Sequence, residues 1–428
     1  MEKKKIILIG AGMRGKCYTD MAYTIKDRFE VVAVAEPIED RRAYIQKKHG
    51  IPDELCFSSW EPLMEMPKFA DAVIVATMDR SHFAPTMAAI EKGYDILLEK
   101  PIAPTPEECI KISDFANEKG VNVLVCHVLR YTPFFRLLKH CIDDGMIGDV
   151  VNVQHAEHVG NVHQSHSFVR GNWRNSEESS CMILQKSCHD LDILQWLIGK
   201  ECKRIHSFGS LTHFVRKNAP ADAPERCIDG CPHAEACYYN AIKLYLDDKD
   251  NAWFRTSATK KVEPTDEDVE HALRTTDYGK CVYKCDNNVV DHQVVNMEFE
   301  DGITVSFTME AFNKGSRNTV IMGTKGEIRA NMSDDHITVY DFATCQFREI
   351  KITDALLDES INGGHGGGDS GILNGFYALL CGQETGKSVC NVSIACKNHM
   401  LAFAAEESRL SGQVIDMDAY MENIQKRL

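Results

Sequence analysis

The first part of the chain alternates between two spacings of apolar residues. Residues 6–9 form an unbroken apolar run, Ile6-Ile7-Leu8-Ile9, and residues 16–25 then repeat with a helical period. Residues 29–35 form a second buried run, and residues 40–49 are again helical. The same exchange continues with strands at 70–77, 94–99 and 121–126 and helices at 83–92 and from 106 onward. Gly93 stands where a helix C-cap glycine belongs. Thr105 stands where an N-cap belongs, followed by Pro106, Glu107 and Glu108. Strands alternating with helices at this spacing predict a parallel sheet covered on both faces.

Beyond residue 126 the pattern changes. A helix is predicted at 134–144. Residues 150–158, 289–299, 303–312, 318–323, 326–332 and 336–340 alternate apolar with polar, which predicts half-exposed strands. Asp301-Gly302 is a good hairpin turn signal and Lys325-Gly326 a weaker one. The expectation is an α+β unit with about six mostly antiparallel strands and helices over one face. A last helix, Ala- and Met-rich, is predicted at 392–410. The chain thus divides into an α/β unit at 1–125 and an α+β unit at 126–428, with a cysteine-rich insertion at about 214–285.

Composition narrows the setting. The chain has 428 residues, 44% hydrophobic and 26% charged, the profile of a globular protein with well-filled cores. A net charge of -15 argues against nucleic acid or an anionic membrane as partner. No apolar stretch is long enough to cross a bilayer, and Met1-Glu2-Lys3-Lys4-Lys5 leads straight into a strand. The expected location is the cytoplasm. The 17 cysteines are odd in number and scattered, unlike a disulfide framework. Reduced thiols, some of them binding metal, fit better.

The turn after the first strand carries the first chemistry. Gly10-Ala11-Gly12-Met13-Arg14-Gly15 has the form G-x-G-x-x-G between a strand and a helix, and the second strand ends in Glu36, about twenty residues past Gly15. Gly10 permits the turn, Gly12 lets backbone approach a pyrophosphate, and Gly15 lets helix pack on strand. The helix start offers free N–H groups to phosphate, so Met13 and Arg14 join the site. Glu36 can accept from both ribose hydroxyls and would repel a 2′-phosphate, which selects NAD. Ligands in such sheets bind beyond the carboxyl ends of the strands. Thr77, Asp79, His82, Glu99, Lys100 and His127 therefore share the rim of the glycine turn.

The glycine turn, Ala76-Thr77 with His82, and Glu99-Lys100-Pro101 together resemble the Gfo/Idh/MocA family of NAD(P)-dependent oxidoreductases. Arg130-Tyr131 and His189-Asp190-Leu191-Asp192 extend the likeness over most of the chain. The resemblance implies a Rossmann domain, an antiparallel sheet that floors the substrate site and mediates a dimer or tetramer, and activity on sugars or cyclitols. It also implies that Lys100 hydrogen-bonds the reacting alcohol and stabilises an alkoxide. The family often has D-x-G-x-H-x-x-D near His189. His189 and Asp192 fit, but the aspartate position is Gln185, with Lys186 beside it. His189 or Lys186 would then handle the hydroxyl proton. The helix start favours a neutral imidazole at His189.

Other candidates lie in the second unit. His155, His158, His163 and His166 precede Trp173-Arg174. They read as a loop over the site, as a metal set without diagnostic spacing, or as surface histidines. Trp173 offers a sugar an apolar face and Arg174 offers charge to an acidic substituent; His127, Arg130, Tyr131, Asp192 and His365 complete the expected substrate contacts. Cys227, Cys231 and Cys237, completed by Cys281 or Cys285, suggest a structural zinc, with an iron–sulfur cluster as the lesser alternative. Asp369 is expected to cap the helix after the glycine-rich stretch 362–368. The expected function is oxidation of a secondary hydroxyl by NAD. The alternatives are a glycoside hydrolase that oxidises, eliminates, hydrates and re-reduces its sugar, and a non-catalytic sensor.

Overall fold

The computed structural model describes residues 2–355 and 365–428. Six strands form the first sheet: β1 (Lys4–Ile9), β2 (Phe29–Ala35), β3 (Cys56–Phe57), β4 (Ala72–Val75), β5 (Asp95–Leu98) and β6 (Val123–Val125). All pair in parallel, in the order β3-β2-β1-β4-β5-β6. Every residue of β4 and β6 is buried, as a sheet with helices on both faces requires. The strand order reverses between β1 and β4, so the crevice opens over the turns that follow those two strands. The helix Pro106–Lys119 begins as its sequence predicts, with the Thr105 hydroxyl accepting from the Glu108 N–H.

The second sheet has nine strands: β7 (Val150–His158), β8 (Cys202–Ser210), β9 (His292–Phe299), β10 (Thr304–Glu310), β11 (Ser316–Gly323), β12 (Gly326–Asn331), β13 (His336–Asp341), β14 (Gln346–Lys351) and β15 (Ile415–Asp416). Their order is β14-β13-β12-β11-β7-β10-β9-β8-β15, antiparallel except for the β7/β10 pair. Three strands exceed the expectation of six. β14 is an almost wholly exposed edge strand and β15 has two residues, so neither leaves an alternating signature. In β8 the run Lys203-Arg204 and the Ser207 position blur it. The β9–β10 turn is as predicted: Asp301 and Gly302 both have positive φ, 59° and 75°. On the outer face, Val151, Phe208 and Val294 are exposed apolar side chains.

The C-terminal part returns to the first unit. Helix Gly368–Leu380 places Ile372, Leu373, Phe376 and Tyr377 in one core with Ile6, Leu8, Val31 and Ile74. Tyr131 packs on the glycines of that helix; a Cβ on Gly371 would stand 2.6 Å from Tyr131 Cβ. The N-cap of this helix is Gly367. Asp369, expected as its cap, instead sits in the first turn and accepts from Arg14. Helix Val392–Ser411 packs against helix Pro106–Lys119, β8 and helix Cys188–Ile198, and so joins both units.

The residues between Ser210 and His292 form the insertion, and those two residues are themselves paired across β8 and β9. It has its own core, with Ala241, Tyr245, Phe254, Val269 and Leu273 fully or nearly fully buried. The fully buried Arg170 pins it, donating to the carbonyls of Lys280 (2.8 Å) and Tyr239 (2.7 Å).

A buried ion pair locks the junction of the two units. Arg130 Nε and Nη2 each donate to an Asp192 carboxylate oxygen at 2.7 Å, and Asn398 donates to Oδ1 at 2.6 Å. The pair links the segment after β6 to helix Cys188–Ile198 and to helix Val392–Ser411. Removing one partner strands a buried charge. Asp192→Ala should therefore lose about 3–5 kcal/mol in urea unfolding at pH 7, and Arg130→Met with Asp192→Leu should recover most of it. Wild-type stability in the single variant would show that the pair bears no load.

Candidate active site

The glycine turn has the stereochemistry of a phosphate cradle. A Cβ on Gly10, whose φ is +89°, would stand 2.6 Å from the Ala76 carbonyl oxygen, and one on Gly15 would stand 2.0 Å from the Gly10 carbonyl oxygen. Those two glycines are closed in by protein. Gly12 is not: the nearest atom to its absent Cβ is Arg41 Nη1, at 3.8 Å. Gly12 caps helix Met13–Thr24, which has neither a side-chain cap nor an acidic residue in its first turn. Its leading N–H groups thus face the crevice with no carboxylate of their own, which suits an anion. Glu36 ends the second strand as expected. Its Oε2 accepts from the Ala11 N–H at 2.6 Å and its Oε1 from the Ile38 N–H at 2.9 Å. The carboxylate therefore shapes the glycine turn while retaining lone pairs for a ribose.

Other rim residues divide by role. Arg14, expected at the cofactor, is bound into a buried network. Its guanidinium donates to Glu99 (2.7 Å) and Asp369 (2.6 Å), and the Tyr18 hydroxyl donates to the same Glu99 oxygen. The Arg14 charge, against the cost of burial, holds the Glu99 carboxyl below its usual range. His82 lies 2.7 Å from the Pro101 carbonyl oxygen through Nδ1 and 3.1 Å from that of Thr77 through Nε2. It braces the loop after β5. The Thr77 hydroxyl donates to the Ser81 carbonyl. Asp79 turns toward the second unit, accepting from Trp173 Nε1 (3.2 Å), Ser179 (2.8 Å) and Ser180 (3.0 Å). Asp79 and Trp173, assigned by sequence to cofactor and sugar, thus satisfy each other across the crevice.

Lys100 reaches across the junction. Its ammonium donates to the Gln185 carbonyl at 2.7 Å, one residue before Lys186 and four before His189. His189 is the second residue of helix Cys188–Ile198. Lys186, three residues before His189, joins strand residues of the second sheet in lining a pocket of about 260 Å³, with Glu157, His163, Ser316, Arg317 and Ser333 among the others. Its charges alternate. Lys186 lies 3.1 Å from Glu157, Arg317 bridges Glu157 (2.6 Å) and Asp190 (2.7 Å), and Asp190 meets His155 at 3.1 Å. Burial drives the His163 imidazole well below its usual pKa, and the Lys186, Lys100 and Arg317 charges push the same way. Glu157 and Arg317 were not singled out in the sequence, and Asp190 was noted only as part of a motif. Glu157 sits at an alternating position of β7, and Arg317 is an unremarkable arginine in a strand; only the sheet register brings them together.

Several expected substrate contacts lie elsewhere. Arg130 and Asp192 are consumed by each other, and Tyr131 is packed under helix Gly368–Leu380. His127 is fully buried, its ring 5.8 Å from that of His189 and 5.4 Å from that of His399. Arg174 is held by Asp286 (2.7 Å), Asp277 and Glu178 (both 3.2 Å), which leaves it a clamp on the insertion. The His365 side chain and Asn362 to Gly364 fall outside the described residues.

The histidine-rich segment is not a free loop. It is coiled into helical turns, Asn161–Gln164 and Ser165–Arg170. His166 stacks on Phe254 at 4.0 Å, and His158 contacts Glu310 and Asn318. Burial raises the Cys237 and Cys281 thiols, with Cys227 adding to both and Cys231 to Cys237, so the four cysteines expected to hold zinc are electrostatic neighbours. Among the described residues, three ligand-type side-chain atoms come within 4.8 Å only at His127, Asp192 and Cys390, where Arg130 already supplies the cation. At the cysteines, the Arg170 guanidinium takes the interior beside Cys227 (3.6 Å), and the Cys285 thiol donates to the Cys281 carbonyl. Cys231 and Cys237 stay partly exposed.

The buried histidines make stability depend on pH. Burial lowers His127 from the usual 6.5 to about 4, and His166 and His399 to about 3. The unfolded chain regains the higher value and binds the extra protons first. Stability is therefore full above pH 6.5 and falls as pH drops toward 4, by about 1.4 kcal/mol per pH unit for each histidine. His127→Phe should flatten the urea-unfolding free energy between pH 4.5 and 6.5 by about one such slope. An unchanged slope would remove His127 from the account.

Comparison with known proteins agrees with this geometry. Residues 4–127 match the oxidoreductase family's NAD-binding Rossmann fold, and residues 139–349 match its C-terminal alpha/beta domain. YteT of Bacillus subtilis (strain 168), itself named only as an oxidoreductase, is 24% identical over 410 residues, 89% of this chain and 92% of that protein. Inositol 2-dehydrogenase 1 of Saccharopolyspora erythraea is 27% identical over 47% of this chain and 56% of its own length. The 2,7-anhydro-N-acetylneuraminate hydratase of Mediterraneibacter gnavus is 33% identical over 30% of this chain and 33% of its own length. A levoglucosan dehydrogenase in complex with NADH and L-sorbose has the same fold, with TM-score 0.71 and 19% identity over 97% of this chain and 99% of that one. No described helix is long and apolar enough to cross a membrane. The chain is an NAD-binding oxidoreductase and belongs to the Gfo/Idh/MocA family.

Proposed function

We propose that the chain oxidises a secondary hydroxyl of a sugar, sugar derivative or cyclitol. The observation that carries this reading is the reach of Lys100 from the cofactor rim to the Gln185 carbonyl, beside a pocket of alternating charges. Inositol and levoglucosan dehydrogenases among the similar proteins support the substrate class. NAD, which Gly10, Gly12 and Glu36 would hold along the glycine turn, would supply the hydride acceptor for the carbinol carbon. Lys100 donates to the substrate oxygen and stabilises the negative charge that grows on it. His189, at the start of its helix, takes the hydroxyl proton. Lys186 is paired with Glu157 and so serves as a donor that orients a neighbouring oxygen; Arg317 and Ser316 hold the far side.

The alternative is hydrolysis of a glycoside, or hydration of an anhydro-sugar, through transient oxidation. The anhydro-sugar hydratases among the relatives favour it, as do the additional proton-bearing groups His163 and Glu157 in the pocket. Incubation with NAD and candidate sugars, cyclitols and glycosides separates the two. Accumulating NADH is the expected result for a dehydrogenase; released aglycone at constant NAD would overturn it in favour of the alternative. Lys100→Met should lower kcat by about 10²–10⁴-fold while NADH still binds. Turnover unchanged in that variant would refute the assignment of Lys100.

A further inference from the structure

Arg170 is the point where three segments of the insertion meet. It ends the helical turn Ser165–Arg170, and the turn before it carries His163 to the pocket. Its Nε donates to the Lys280 carbonyl at 2.8 Å. Its Nη2 donates to the Tyr239 carbonyl at 2.7 Å and to Cys227 Sγ at 3.6 Å. The guanidinium is fully buried, yet among the described residues no carboxylate pairs with it, and Nη1 has no hydrogen-bond partner. A buried charge in that condition is costly unless an anion meets it. The groups that face it are the thiols of Cys227, Cys281 and Cys285 and the Tyr245 hydroxyl.

These thiols belong to one constellation. An antiparallel bridge joins Arg226 to Lys280, with the Cys227 N–H donating to the Gly279 carbonyl and the Cys281 N–H to the Glu225 carbonyl, both at 2.9 Å. Cys227 and Cys281 therefore share one face as diagonal neighbours. Gly230, with φ of 80°, turns the chain toward Cys231, and the Cys237 N–H donates to the His233 carbonyl in the turn that follows. Cys227 and Cys237 both act electrostatically on Cys281, and Cys231 acts on Cys237. Cys285 is engaged elsewhere, its thiol donating to the Cys281 carbonyl at 3.4 Å. The spacing of the four is wide: among the described residues, no three of these sulfurs lie within 4.8 Å of one another. Tetrahedral zinc, with Zn–S bonds of about 2.3 Å, draws its sulfurs to about 3.8 Å apart. A cubane iron–sulfur core is broader and holds its four thiolates further apart.

We propose that Cys227, Cys231, Cys237 and Cys281 bind an iron–sulfur cluster, with Arg170 facing its negative charge. Binding forms four Fe–S bonds to the chain, and the four thiol protons pass to solvent without electron transfer. The thiolate charges exceed that of the iron–sulfide core, so the bound centre is an anion, and its sulfurs offer Arg170 Nη1 an acceptor. The cluster ties the segment 227–237 to Cys281, and through Arg170 to the turns that carry His163. Its role is to hold the insertion folded against the pocket wall.

None of this depends on which sugar is oxidised. The full-length chain is purified without oxygen and assayed for iron, acid-labile sulfide and zinc. About four irons and four sulfides per chain are expected, with the broad visible absorption of a cluster. Cys231 is partly exposed, so Cys231→Ser should fold. It should lose the iron and the absorption, and trypsin should cut its insertion faster than that of wild type. Cys285→Ser should keep both iron and absorption. Zinc at about one per chain, lost in Cys231→Ser, would leave the four ligands standing and overturn the cluster. Neither metal in wild type, even after anaerobic treatment with ferrous iron and sulfide, would overturn the centre altogether. Iron retained in full by Cys231→Ser would overturn its ligand set.

Discussion

The position of one short helix decides whether the crevice can act at all. Helix Cys188–Ile198 carries His189 at its start and follows directly on Gln185 and Lys186, so its placement aims three candidate groups together. What places it is the Arg130–Asp192 pair, buried on all sides and tied to Asn398. Such a pair adds little net stability compared with apolar packing, because two charges must leave water. It is specific, though: two parallel hydrogen bonds fix distance and orientation in a way that apolar contact cannot. Arg130 and Asp192 thus stand buried behind helix Cys188–Ile198 in this chain.

A second network performs the same service for the cofactor side. Arg14 donates directly to Glu99, Asp369 and the Tyr18 hydroxyl, and Tyr18 donates in turn to Glu99. It binds the glycine turn's helix to the end of β5 and to the helix that begins at Gly368. The Glu99 carboxylate is thereby drawn toward Arg14, while the Lys100 ammonium points the other way, to the Gln185 carbonyl. Adjacent residues of opposite charge thus turn to opposite partners.

The sequence showed the fold because its signals were local. The glycine turn, Glu36, the Thr105 cap and the Asp301-Gly302 turn each follow from a few neighbouring residues, and each is present in the structure. Lys100 and His189 were legible as motif residues, and both stand at the junction. What was not legible depends on distant partners. Arg174 looks like a substrate arginine until Asp286 and Asp277 fold against it, more than one hundred positions away. Trp173 and Asp79 each looked available until they met. Glu157 and Arg317 carried no motif and enter the pocket only through strand register. The cysteines had a suggestive spacing, and Arg170, which donates to Cys227 from a distant segment, was not legible beside them.

The pairing of Ser210 with His292 has a consequence for how such a site can change. The insertion leaves and re-enters the sheet at that one rung of the antiparallel ladder, and Arg170 and Arg174 hold it from outside. Closing a loop of that size costs only slightly more chain entropy than closing one half as long, since the cost rises with the logarithm of length. The floor of the site therefore does not register how long the covering segment is or what it contains. Cover and floor are separable parts: strand register brings Glu157 and Arg317 together, and the segment between β8 and β9 can change in length without changing that register.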